Sequence, residues 1–132
     1  MAGYLKLLLL ALLFLLAACR QSRAGGTADL TIELVAPVFP SLDGRGELQL
    51  RLLDAAGAPV NDAHVRVRGD MTHAGMVPLL AETTGGRDGL YTLPFAWSMA
   101  GDWVLTVRAT LPDGAWAERP FDLTVTADEI CE

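Results

Sequence analysis

From Asp29 onward the chain alternates apolar and polar positions with a period of two, interrupted at short intervals by turn residues. The apolar positions run Leu30, Ile32, Leu34, then Leu48, Leu50, Leu52, then Val65 and Val67. Later segments repeat the pattern with Leu93, Phe95, Trp97, then Trp103, Leu105, Val107, and finally Phe121, Leu123, Val125. Successive side chains of a strand point to opposite faces, so each segment predicts a half-buried β-strand. Between them "LDGRG", "DAAGAPVND", "TTGGRDG", "MAGD" and "LPDG" supply turns. A weaker strand is expected over Val77–Thr83, at an edge or irregular, because Pro78 cannot donate to a ladder. No helical period follows residue 18. The pattern predicts an all-β chain, an immunoglobulin-like antiparallel β-sandwich of about seven strands over residues 29–128.

The first residues read differently. Met1–Lys6 is a short segment with one lysine, and Leu7–Ala18 is an unbroken apolar run. A membrane-spanning helix needs about 20 apolar residues, so this run reads as a signal peptide over residues 1–18. It ends in Leu16-Ala17-Ala18-Cys19, which resembles a bacterial lipoprotein cleavage box. The resemblance implies that Cys19 becomes the lipidated first residue, holding the protein to a membrane on the periplasmic or cell-surface side. The alternative is a secreted protein with a chance cysteine. Residues 20–28, "RQSRAGGTA", are small and polar and extend the anchor as a flexible tether over residues 19–28.

Removing residues 1–18 of the 132 leaves 114, the size of one domain. The formal charge of −6 becomes −7 once Lys6 is lost. An acidic domain with no basic run argues against nucleic acid and against electrostatic binding to anionic lipid. With Cys19 lipidated, Cys131 is the only thiol left and no disulfide can form within the chain. Cys131 is then a candidate thiolate ligand or intermolecular cross-link near a chain terminus.

The chemistry-bearing stretch is "RGDMTHAGMVP", residues 68–78, where Met71, His73 and Met76 stand close together. Thioether sulfur is a soft ligand and imidazole a borderline one. Methionine with histidine and no carboxylate therefore selects Cu(I) over Zn(II), Mg(II) or Ca(II). Met71 and His73 continue the parity of Val65 and Val67, and Ala74-Gly75 allows a tight turn that returns Met76 toward them. If all seven strands are antiparallel, the turns at 36–46, 72–75 and 98–102 share one end of the sandwich, and Met99 joins the set there. The tether starts at the opposite end, so the site would face away from the membrane.

A plainer reading stands beside this one. Methionine in a sandwich ordinarily fills core gaps, and a lone histidine is ordinarily hydrogen-bonded or solvated. His64 shares parity with Arg66 and Arg68 and reads as solvated. Trp97 and Trp103 bracket the candidate end, either as core or lying over a bound cation, and Trp116 is expected at the other end. The Arg68-Gly69-Asp70 tripeptide, at a strand's end, reads as chance. An enzyme is not expected: there is no Ser-His-Asp arrangement in recognisable context, no phosphate loop and no pair of carboxylates flanking a cleft.

The stretches "GAPVNDAHVRVRGDMTHAGM" and "GLYTLPFAWSMAGDWVLTVRA" resemble a YtkA-like domain, related to the FixH group of cytochrome-oxidase assembly proteins. The matching pattern is Gly57-x-Pro59-Val60, a Val-x-Val strand, a loop with methionine and histidine, Gly89-x-Tyr91, and Met99-x-Gly101-x-Trp103. It covers about residues 29–126. The resemblance implies an extracytoplasmic immunoglobulin-like module for copper delivery to oxidase assembly or for copper tolerance, with Met71, His73, Met76 and Met99 at the matching positions. The loop is sparser than the family's usual one, with Thr72 and Ala74 where further ligands often stand. A lipobox replaces the membrane span of FixH-type members.

Overall fold

The computed structural model describes residues 26–43 and 46–127. It contains seven strands: β1 (Leu30–Ala36), β2 (Glu47–Asp54), β3 (His64–Met71), β4 (Leu79–Thr84), β5 (Leu90–Pro94), β6 (Gly101–Thr110) and β7 (Trp116–Val125). They form two antiparallel sheets, β1-β2-β5 and β4-β3-β6-β7, packed face to face. The fold is the expected immunoglobulin-like sandwich. Among the described residues no helix is long and apolar enough to cross a membrane.

The period-two positions make the core. Leu48, Leu50 and Leu52 of β2, with Tyr91 and Leu93 beside them on β5, face Val65 and Val67 of β3 and Leu105 and Val107 of β6, all essentially without solvent contact. Burying each such side chain contributes on the order of 1.5–3 kcal/mol. Gly69 continues the inward row of β3, and it is a glycine because Phe95 occupies the space. A Cβ there would stand 2.8 Å from Phe95 Cζ and 3.2 Å from Leu105 Cδ2. Tyr91 brings a hydroxyl to the core. Its hydroxyl donates to the Val60 carbonyl at 2.8 Å and accepts from the Ala63 N–H at 3.1 Å.

The weak segment around residue 79 is a true strand at the edge of the larger sheet, with Pro78 just before it. It pairs with β3 from His64↔Thr84 to Gly69↔Leu79, and so does not join β5 as the fourth strand of a constant-type immunoglobulin domain would. The predicted strand through Trp97 stops earlier. β5 ends at Pro94 because its ladder partner β2 begins at Glu47, and one further bond, from the Phe95 N–H to the Gly46 carbonyl (2.8 Å), closes the ladder.

Of the expected tether, residues 19–25 lie outside the described residues, as do the leader, Cys19 and Cys131. Residues 26–28 are held against β7: the Ala28 N–H donates to the Trp116 carbonyl at 2.6 Å and the Trp116 N–H to the Gly26 carbonyl at 3.0 Å.

Because β4 exists, strand alternation brings the connections 37–46, 72–78 and 95–100 to one end. The exit of β7 joins them there, where Leu42 and Thr126 are hydrogen-bonded through their backbones at 3.0 Å. Trp116 and the segment entering β1 sit at the other end, Thr27 pairing with Trp116.

Candidate metal site at the loop-bearing end

Met71 is the last residue of β3 and lies in register with Trp103 of β6. It shares the inward parity of Val65, Val67 and Gly69, but the core ends beneath it, so its thioether lies half-buried at the rim. The methyl carbon Cε comes within 2.9 Å of where a Cβ on Gly101 would stand. Gly101 opens β6 with φ +133°, a conformation L side chains rarely adopt. Glycine at 101 thus allows both the turn into β6 and the close passage of Met71.

The ladder between β3 and β6 extends one bond further, from the Thr72 N–H to the Asp102 carbonyl at 3.1 Å. There the strand stops. Thr72–Gly75 is a turn, with Gly75 at φ +85°. The expectation that His73 continues the inward parity of Val65 and Val67 is therefore corrected: parity is a property of extended chain, and His73 is exposed outside the strand. Met76 lies beyond the turn with 38% of its surface exposed, and Met99 on the neighbouring connection with 47%.

Aromatic rings anchor the connection that carries Met99. Trp103 is fully buried, and its Nε1–H donates to the Met99 carbonyl at 3.1 Å. Trp97 meets Trp103 edge to face at 5.4 Å between centroids, and Phe95 meets Trp97 in the same way at 4.9 Å. These pairs run from core to rim, Trp97 being half-buried. Around them Val38, Phe39, Leu42 and Val77 add further exposed apolar surface, Phe39 at 72%.

Four soft or borderline donors therefore stand at one end: Met71 closing β3, His73 and Met76 on the connection that follows it, and Met99 on the connection that leads into β6. Among the described residues no three His, Cys, Asp or Glu side chains gather as a metal-holding group. A metal at this rim would rest on thioether sulfur, with imidazole as the only nitrogen donor, and that donor set fits Cu(I).

Other candidates lie elsewhere. His64 starts β3 on the outward face, its Nε2 3.4 Å from Glu82 Oε2. Met71 is seven positions further along the strand, about 23 Å away. The Arg68-Gly69-Asp70 tripeptide closes on itself. Arg68 donates to Asp70 from Nε at 2.8 Å and from a terminal nitrogen at 2.9 Å, which raises the guanidinium pKa, while Gly69 is buried. Trp116 stands at the far end with the Arg108 guanidinium 4.0 Å above its ring.

Gly101 is a residue the sequence reading left without a role beyond its place in the Met99-x-Gly101-x-Trp103 pattern. The contact with Met71 supplies it. Only the register of β3 on β6 reveals that contact, since the two residues are 30 positions apart.

A family model described as YtkA-like matches residues 26–108 of the chain. No curated protein matches. Among solved structures the chain is similar to a variant of superoxide reductase (neelaredoxin) from Ignicoccus hospitalis, at 16% identity and TM-score 0.49, over 74% of this chain and 82% of that one. It is also similar to the fibronectin type-III domain of human fibronectin type III domain containing protein 3. There the identity is 14% and the TM-score 0.46, over 81% of this chain and 94% of that one.

Proposed function

Because the chain belongs to the YtkA-like family, we propose that it is an extracytoplasmic, lipid-anchored module that binds Cu(I) at its loop-bearing end. Met71, His73 and Met76 hold the ion with Met99 as a further ligand, in the service of copper delivery to oxidase assembly or of copper tolerance. The reading is supported above all by Met71, whose thioether lies at the rim against Gly101, on the same end as the other three donors. The protein is a carrier and not an enzyme. Its lipid on Cys19 joins it to the membrane, and a cytochrome-oxidase assembly or copper-handling protein is its partner.

The deciding experiment titrates the reduced mature domain with Cu(I) against a competing chelator. Wild type competes for the ion, and Met71→Leu combined with Met76→Leu loses it while melting as wild type does. If the double variant binds as well as wild type, the site is not there. Melting with Cu(I) and with Zn(II) in parallel gives a second readout. A ligand at a hundredfold excess over its dissociation constant stabilises the native state by about 2.7 kcal/mol.

The alternative is a non-metal accessory lipoprotein whose apolar rim docks a partner protein. The exposure of Val38, Phe39 and Val77 favours it. It predicts no copper effect on melting. Anchoring is tested separately by metabolic labelling with a fatty acid, which Cys19→Ser abolishes if Cys19 is the acylated residue.

A further inference from the structure

The same strand that ends in Met71 presents a second chemistry on its other face. His64, Arg66, Arg68 and Asp70 point outward, away from the core. The registers align Arg66 between Glu82 of β4 and Arg108 of β6, and Arg108 with Glu118 of β7. One row across the four-stranded sheet therefore reads Glu-Arg-Arg-Glu. Its central pair sets two cations directly opposite each other, an arrangement that destabilises a sheet.

The flanking acids do not saturate this pair. Glu82 Oε2 lies 3.4 Å from Arg66 Nε, but it is shared with His64 at the same distance. Glu118 Oε2 is 3.9 Å from Arg108, beyond hydrogen-bond reach. Among the described residues the Arg108 side chain makes no hydrogen bond. It stacks on Trp116, which occupies the π face of the guanidinium and leaves its in-plane N–H donors open. Arg66 commits only Nε, and its terminal nitrogens make no bond among the described residues. The two arginines form the floor of a depression of about 570 Å³, with Thr106 and Arg68 in the next row and Leu80, 74% exposed, on the wall.

We propose that Arg66 and Arg108 form a clamp for an oxoanion, a carboxylate or phosphate group bridged between the two guanidiniums, with Thr106 and Arg68 beside it and Leu80 beside the apolar part of the ligand. A bridging anion accepts from both forks at once and replaces the cation–cation opposition by two charge-assisted pairs. Glu118 competes with that ligand for Arg108. This is what separates the clamp from a purely structural charge ladder, in which Glu118 would only stabilise.

The test is NMR titration of the isotopically labelled mature domain, observing the arginine side-chain N–H signals, with inorganic phosphate and with succinate at constant ionic strength and chloride as the control. Saturable shifts are expected at Arg66 and Arg108. Arg108→Gln weakens binding about tenfold, the loss of one charge-assisted contact. Glu118→Gln tightens it several-fold in a folded protein, so the proposal does not depend on whether Arg108→Gln folds. Saturation by only one of the two anions supports the clamp and assigns its chemistry. Shifts that are non-saturable, or equal with chloride, overturn it, as does a Glu118→Gln variant that melts lower and binds no tighter.

Discussion

Replacing Gly101 by alanine tests the link between backbone and rim. The new Cβ meets two obstacles. One is the backbone itself: φ +133° is strained for any L side chain, at about 1–3 kcal/mol. The other is the Met71 methyl carbon, 2.9 Å from the new atom. That carbon is the free end of a flexible side chain and can swing away, so the contact costs little stability and is paid instead in the position of the thioether. A loss of about 2 kcal/mol is therefore expected. For a domain of this size it lowers Tm by roughly 8–16 °C. Gly75→Ala is the internal control, since Gly75 also has positive φ, +85°, but no atom of the described residues within 4 Å of the added Cβ. It loses only the left-handed penalty, roughly 1–2 kcal/mol. Thermal melting by circular dichroism reads both. Combining Gly101→Ala with Met71→Ala restores little stability if the methionine yields as argued. A Gly101→Ala domain that melts with wild type refutes the backbone assignment. One whose lost stability returns in full with Met71→Ala refutes the division between strain and contact.

Gly69→Ala overfills the space held by Phe95 and Leu105 and costs about 1–3 kcal/mol of stability, measured by urea unfolding, and Phe95→Leu in the same chain recovers part of it. Tyr91→Phe strips the Val60 carbonyl and the Ala63 N–H of their hydroxyl partner and costs about 1–3 kcal/mol. Burial raises the Tyr91 pKa above its ordinary 10.0, so the unfolded chain ionises first. That contribution is complete below pH 10 and is lost as pH rises from there through the folded-state value. Melting at increasing alkalinity shows a decline that is shallower in Tyr91→Phe. An equal decline in both proteins would remove Tyr91 as its cause.

The fold was legible because its information is local. Leu48, Leu50, Leu52, Val65, Val67, Leu105 and Val107 alternate with polar neighbours, and all seven are core. Pro78 marked an edge, and β4 is an edge. The sheet to which β4 belongs was not legible, since its residues alternate only between half-buried and exposed and pair equally well on paper with either neighbour. Strand ends were legible only roughly. β3 stops at Met71 and β5 at Pro94 because β6 begins at Gly101 and β2 at Glu47, facts carried by distant residues. His73 was misassigned for that reason, while the end of the sandwich on which Met71, His73, Met76 and Met99 stand followed from the strand count alone. The opposition of Arg66 and Arg108, 42 positions apart, needed the register and could not be read from either segment.

β3 carries both proposed chemistries, and its period keeps them apart. The inward parity ends in the thioether of Met71, and the outward parity presents Arg66 and Arg68. A guanidinium beside the rim would oppose a bound cation. Near the rim, the outward positions of the larger sheet hold Asp70, Asp102 and Asp122, with Thr124 donating to Asp102 at 2.7 Å. The field there favours a cation, while the middle of the face favours an anion. Arg66 and Met71 are five positions apart along the strand, about 17 Å. That exceeds the Debye length of about 8 Å at physiological ionic strength, so the charges at the two sites are largely screened from each other. Phosphate at saturation therefore leaves the Cu(I) affinity unchanged at physiological salt and raises it slightly at low salt. The reciprocal holds for copper and phosphate, because coupling between two binding equilibria is symmetric. Competition titration of Cu(I) with and without phosphate, at both ionic strengths, checks this. A strong effect at physiological salt would mean that the two sites share a moving element of β3.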